Sequence, residues 1–129
     1  MQKPSRKLLK LSSVDIAWLA GLFEGEGSFS LHTRRTHKYP GAKISMTDRD
    51  VIQRVADLLG RNILGPYAGH PGFHGVVSPS KTYKDLYQVT VYGPTVVGFM
   101  MTVYSFMGER RKARIREILK VWRGASSGG

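Results

Sequence analysis

Leu19-Ala20-Gly21-Leu22-Phe23-Glu24-Gly25-Glu26-Gly27 is the stretch on which the reading of this chain turns. Its apolar residues continue a run over 16–23, and Gly25 and Gly27 are helix stop signals. Upstream, Ser12 stands three residues before Asp15, a capping box with Asp in the Glu place. Residues 16–24 are therefore expected to be helical. Within this helix Ala17, Gly21 and Gly25 recur every four residues and form one smooth stripe. Small residues let another backbone approach closely. Spacing alone leaves open whether that neighbour lies inside the domain or across a helix–helix dimer seam. Glu24 and Glu26 sit at the helix C-terminus, where the macrodipole disfavours a carboxylate unless a cation compensates. Oxygen ligands suit Mg²⁺ or a similar hard ion. Two solvated carboxylates are the plainer alternative.

Downstream the period changes to two. Ser28, Ser30, His32 and Arg34 are polar on one side of a strand, with Phe29 and Leu31 on the other. Tyr39-Pro40-Gly41 reads as a turn region. Ala42, Ile44 and Met46 then alternate with Lys43, Ser45 and Thr47, a second strand of a long-looped hairpin. The polar face of this hairpin holds Arg, Lys, His, Ser and Thr and no acid, which suits an anion. Thr47 or Asp48 caps a helix through Leu59, with Gly60 at its stop. Residues 61–82 are rich in Gly and Pro, with a short strand expected on either side of a loop. Tyr87, Val89 and Val91 alternate with Gln88, Thr90 and Tyr92. Gly93-Pro94 opens a helix that runs apolar to Phe106 and breaks at Gly108. A last helix over 109–122 turns Ile115, Ile118, Leu119 and Trp122 to one side. The order is α-β-β-α-β-β-α-α, an α+β domain with a four-stranded antiparallel sheet. No internal repeat of the first helix is visible. The domain spans 12–123, between a basic segment at 1–11 and a flexible tail at 124–129.

Composition narrows the function. The 129 residues suffice for one modest core. Twenty Lys and Arg against nine Asp and Glu give a formal charge of +11, which predicts a polyanionic partner, most simply nucleic acid. The absence of Cys removes disulfides and thiolate sites. No apolar run is long enough to span a bilayer. The acids after residue 23 are unlike a cleavage site, so an intracellular soluble protein is expected. His70 and His74 have the i, i+4 spacing of a zinc helix, but Pro71 and Gly72 between them argue for a loop. The Gly-Glu-Gly-Ser stretch lacks the Gly-Lys-Ser/Thr of a phosphate loop.

Residues 19–27, LAGLFEGEG, resemble the LAGLIDADG signature of the homing endonucleases, followed by Ser28-Phe29 as is common there. Ile44-Ser45-Met46-Thr47-Asp48, Leu58-Leu59-Gly60 and Phe106-Met107-Gly108-Glu109-Arg110-Arg111-Lys112 resemble that family in kind and order. The resemblance covers about 13–122. It implies the αββαββα fold, a sheet lying on the DNA major groove, and a signature helix that meets a second copy at a two-fold axis through Ala17, Ala20, Gly21 and Gly25. The last acid of that helix, here Glu26, reaches the scissile phosphates, with the Gly25 carbonyl offered to a metal ion, Mg²⁺ or Mn²⁺. Asp48 falls where the family places a polar residue that holds the attacking water's network, and is equally read as the next helix's cap. The basic residue near the active site falls among Arg110, Arg111 and Lys112, with Arg110 preferred and Arg111 next.

On this resemblance the expected partner is double-stranded DNA. The reading residues are Ser28, Ser30, His32, Arg34, Lys43, Ser45, Gln88 and Thr90. Arg35, Lys81 and Lys84 join them, and Arg114 and Arg116 of the cation-rich last helix touch phosphates. A single motif implies a homodimer and a near-palindromic target, cut with a divalent metal, in the service of intron or intein mobility. The alternatives are an intron RNA maturase, or a DNA-binding protein that has lost cleavage.

Overall fold

The computed structural model describes residues 11–67 and 85–127. Lys81, Lys84, His70, His74 and most of the Gly- and Pro-rich loop lie outside the described residues. Helix α1 (Ser13–Glu26) starts on the expected capping box: Asp15 N–H donates to Ser12 Oγ at 3.0 Å, and Ser12 N–H to Asp15 Oδ2 at 3.4 Å. Gly25 does not stop it. The helix continues through Glu26 and ends at Gly27, whose amide caps the Phe23 carbonyl. A Cβ on Gly27 would strike the Phe23 ring, so glycine is required there by close approach.

The chain passes straight into β1 (Gly27–Arg34) and returns in β2 (His37–Met46). The hairpin turn is tight, at Arg35-Thr36, with Arg35 in the left-handed region at φ 58°. The expected turn at Tyr39-Pro40-Gly41 is therefore corrected: all three lie within β2, opposite His32, Leu31 and Ser30. Proline is tolerated because the β2–β4 ladder begins only at Gly41. The Pro40 carbonyl, on that side, accepts the Gly93 N–H at 3.0 Å, so no rung needs the missing donor.

Helix α2 (Arg49–Leu59) stops at Gly60, which is left-handed with φ 65°. Strand β3 (Leu64–Tyr67) and strand β4 (Leu86–Tyr92) complete one antiparallel sheet in the order β1-β2-β4-β3. Helix α3 (Pro94–Val103) ends earlier than expected. A 3-10 turn at Tyr104–Phe106 turns Met107 inward and leaves Phe106 54% exposed. Helix α4 (Glu109–Ser127) is longer than the expected helix and takes in most of the segment read as a tail.

The alternation holds strand by strand. Phe29, Ala42, Ile44, Val89 and Val91 face the helices and are buried with Leu19, Phe23, Ile52, Val55, Phe99, Ile115 and Ile118. Phe23, Phe29 and Phe99 form its aromatic centre, with ring centroids 4.9 to 6.4 Å apart. No charged or polar side chain is buried among the described residues, so this core stabilises by apolar burial, about 1.5–3 kcal/mol per large side chain. The other face of the sheet is left without a helix.

Candidate functional site

The face opposite the core carries Ser28, Ser30, His32 and Arg34 from β1, Tyr39, Gly41, Lys43 and Ser45 from β2, and Gln88, Thr90 and Tyr92 from β4. None of these is acidic. The register places Ser28, Lys43 and Thr90 in one row across three strands. In the next row Ser45 Oγ donates to Gln88 Oε1 at 3.1 Å, which leaves the Gln88 amide nitrogen to donate outward. Arg34 and Arg35 are exposed at the hairpin tip. Strands β1, β2 and β4 thus present hydrogen-bonding groups and positive charge from a stiff backbone.

Towards the tip the face turns aromatic. His32 stacks on Tyr39, centroids 5.2 Å apart and 25° between planes, and meets Tyr92 edge-on at 5.2 Å and 80°. Tyr39 and Tyr92 lie 5.9 Å apart. Ser30 Oγ is 2.8 Å from His32 Nε2 and 3.4 Å from the Gly41 carbonyl. Sequence reasoning found His32 and Ser30 but missed Tyr39, Gly41 and Tyr92. Parity in β2 was the available signal for Tyr39 and Gly41, and reading 39–41 as a turn hid it, whereas the alternation of β4 already set Tyr92 on one side with Gln88 and Thr90.

The two signature acids have different surroundings. Glu24 is engaged: its Oε1 accepts the Gly108 N–H at 2.9 Å and lies 3.7 Å from Arg111 Nε. Arg111 Nε donates to the Glu24 carbonyl at 3.0 Å, and its Nη1 to the Gly27 carbonyl at 2.7 Å. This guanidinium is the cation that the C-terminus of α1 needs. Glu26 is exposed and makes no hydrogen bond or ion pair among the described residues. Asp48 holds the N-cap position of α2 by its backbone, but its side chain makes no capping bond. It is exposed, just past the end of β2, at the same end of the sheet as Glu26. No three His, Cys, Asp or Glu side chains converge among the described residues. One chain therefore offers carboxylates and no closed metal cage.

The arginines of α4 divide by side. Arg111 and Arg114 reach the outer edge of β1: Arg114 Nε donates to the Phe29 carbonyl at 3.3 Å while its Nη1 pairs with Glu117 at 2.6 Å. Two carbonyls of an edge strand thus receive donors from a helix. Arg110, Arg111 and Arg114 line a cleft of about 290 Å³ with Ser28 and Phe29, and of the three Arg110 forms no ion pair or hydrogen bond among the described residues. Arg116 points elsewhere, donating to the Tyr104 hydroxyl at 2.6 Å. Arg114 and Arg116, both expected at phosphates, thus sit on different sides of α4.

Helix α1 settles the stripe of small residues in part. Ala17, Gly21 and Gly25 are exposed, and a Cβ on Gly21 or Gly25 would meet nothing within 4 Å. The two glycines of the stripe thus face open space among the described residues of their own chain. Ala20, expected beside it, is 1% exposed and belongs to the chain's own core, one position round the helix from Gly21.

Residues 13–65 match the family described as LAGLIDADG-like domain. No curated protein sequence matches the chain. Among solved structures, the archaeal intron-encoded homing endonuclease I-Vdi141I complexed with DNA is similar with TM-score 0.60 and 20% identity, over 89% of this chain and 70% of that one. The LAGLIDADG homing endonuclease I-GzeII in complex with its DNA target is similar with TM-score 0.59 and 13% identity, over 99% of this chain but only 41% of that one. No helix among the described residues is long and apolar enough to cross a membrane.

Proposed function

We propose that this chain, which carries a LAGLIDADG-like domain and has the LAGLIDADG homing endonuclease fold, is a site-specific double-strand DNA endonuclease. The observation that carries the reading is Glu26. It is an exposed carboxylate, unpaired among the described residues, at the end of α1 where the chain enters the acid-free, cationic face of β1. A carboxylate there repels DNA phosphate, so its position is explained by a task at the phosphate itself.

The donor set fits a hard divalent ion. Mg²⁺ is usually held by one or two carboxylates, with phosphate oxygens and water completing its shell. Glu26 and the Gly25 carbonyl would hold it, and the ion would supply Lewis-acid polarisation of the scissile phosphate. Asp48, with no capping bond to satisfy, orients the attacking water. Arg110, beside Ser28 in the cleft, stabilises charge developing on the phosphate oxygens. Arg111 acts through structure, holding the end of α1 that carries Glu26.

The assembly follows from counting. One chain supplies one such acid, and two strands need two. The exposed Ala17, Gly21 and Gly25 stripe gives a second copy a close approach along α1, which makes a two-fold homodimer. Its target is then near-palindromic.

Incubation with a randomised duplex DNA library, with and without Mg²⁺, followed by sequencing of the ends, tests this reading. Metal-dependent breaks clustered on a partly palindromic consensus are expected. Intact DNA throughout overturns it. Intact DNA together with tight binding of structured RNA transfers the fold to a maturase role.

A further inference from the structure

We propose that His32 is held in its Nε2–H tautomer and reads DNA as a hydrogen-bond acceptor, selecting cytosine or adenine and rejecting guanine at one symmetric pair of target positions. The inference rests on the DNA-binding reading above and names how one side chain of that surface chooses a base.

The Ser30 hydroxyl has a single proton to give. Ser30 Oγ lies within reach of two groups, the Gly41 carbonyl at 3.4 Å and His32 Nε2 at 2.8 Å. A carbonyl can only accept. When the hydroxyl donates to Gly41, it must accept from the imidazole, which puts the ring proton on Nε2. The same tautomer is the intrinsically favoured one for a neutral histidine side chain in water, so environment and intrinsic preference agree.

The ring's orientation follows from Gly41. A Cβ built there would meet His32 Nε2 at 2.9 Å and Cδ2 at 3.0 Å. The Nε2–Cδ2 edge of the ring therefore lies on the sheet backbone. In a five-membered ring the atom opposite that edge is Nδ1, which points away from the sheet. Nδ1 has no hydrogen bond among the described residues. Tyr39 covers one face of the ring and Tyr92 closes on it edge-on, so the imidazole is fixed before any ligand arrives.

An unprotonated Nδ1 accepts and cannot donate. In the major groove, cytosine N4 and adenine N6 present donors, whereas guanine presents the acceptors N7 and O6. Guanine would set lone pair against lone pair. The selectivity thus has an attractive half and a repulsive half.

Two measurements test the proposal. Imidazole ¹⁵N NMR on the free protein reports which nitrogen holds the proton. The four histidine signals are separated by the one lost in His32→Ala. The Nε2–H pattern is expected for His32, and an Nδ1–H pattern overturns the proposal. Binding selection from a randomised duplex library, in EDTA to prevent cutting, then compares wild type, His32→Ala and Gly41→Ala. Cytosine or adenine should be enriched on one strand at one symmetric pair of positions. Both variants should lose that preference by about 3- to 10-fold, the value of one hydrogen bond. Gly41→Ala keeps every side chain of the cluster and pushes both the imidazole and the Tyr92 ring beside it out of place, since a Cβ there would meet Tyr92 Cδ1 at 3.0 Å as well. Enrichment of guanine there, or no position that responds to His32→Ala, overturns the base assignment. A wild-type protein that selects no sequence overturns the DNA-binding reading itself, and the NMR result distinguishes that failure from an error in the tautomer.

Discussion

Arg111 Nη1 donates to the Gly27 carbonyl at 2.7 Å, joining the start of α4 to the junction of α1 and β1 across 84 positions of chain. The same side chain reaches the Glu24 carbonyl at 3.0 Å and is 14% exposed. Its charge therefore lies against the carbonyl end of a helix in partly excluded solvent. Arg111→Ala leaves those carbonyls and the Glu24 carboxylate without their cation. Charge-assisted hydrogen bonds contribute roughly 1.5–3 kcal/mol each before neighbours relax. We expect a loss of about 2–3 kcal/mol in urea unfolding, with an unchanged m-value. Arg111→Lys should recover less than half, because an ammonium cannot span both carbonyls as a planar fork does. Full stability in either variant removes this contact from the fold's support.

Glu26→Gln should abolish cutting while leaving the fold and DNA binding in place. Glu26 has no bond to lose among the described residues, so urea stability should stay within about 0.5 kcal/mol of wild type. Affinity should hold or rise, since a carboxylate beside phosphate is relieved. Nicking and linearisation of a plasmid bearing the selected site provide the readout. A variant that still nicks at the wild-type rate dismisses Glu26 as the metal-holding acid.

Gly21→Leu should give a folded monomer. Nothing lies within 4 Å of the position a Cβ would take, so a leucine meets no obstacle inside the chain. Exposed leucine also favours helix over glycine by up to about 1 kcal/mol. Across a two-fold axis, however, the added side chain holds the helices apart. Sedimentation velocity should show a dimer for wild type and a monomer for the variant, with matching far-UV circular dichroism. A dimeric variant moves the interface off this stripe.

Arg34 and Arg114 should separate in a single assay. Arg34 is exposed on the open face, and a guanidinium there can form a bidentate pair with guanine worth about 1–3 kcal/mol. Arg34→Ala should flatten preference at one symmetric pair of positions. Arg114 is committed to the Phe29 carbonyl and Glu117, so Arg114→Ala should lower stability by about 1 kcal/mol and leave the ranking of DNA variants unchanged. Binding to a target and its single-base variants across salt, with urea melts alongside, checks both. Loss of ranking in Arg114→Ala, or none in Arg34→Ala, reverses the assignment.

The capping box at Ser12 and Asp15, the parity of β1 and β4, the stop at Gly60 and the acidic end of α1 were all legible in the sequence. Each is a local property: a cap spans one turn, and strand parity is set by a backbone whose side chains alternate every residue. The hairpin turn was not legible, because Tyr39-Pro40-Gly41 has turn chemistry and only the register against β1 and β4 makes it strand. Nor could spacing show that Ala20 is buried beside an exposed Gly21. By itself the sequence determined the order of the elements, the basic and acid-free face, and the family resemblance of its signature helix. Tertiary structure decided which of three adjacent cations closes the end of α1, which acid stays unpaired among the described residues, and which tyrosines clamp His32. Those outcomes depend on how α4 docks on the edge of β1 and how three strands align. Docking and register are set by the whole core at once, and no short run of residues encodes them.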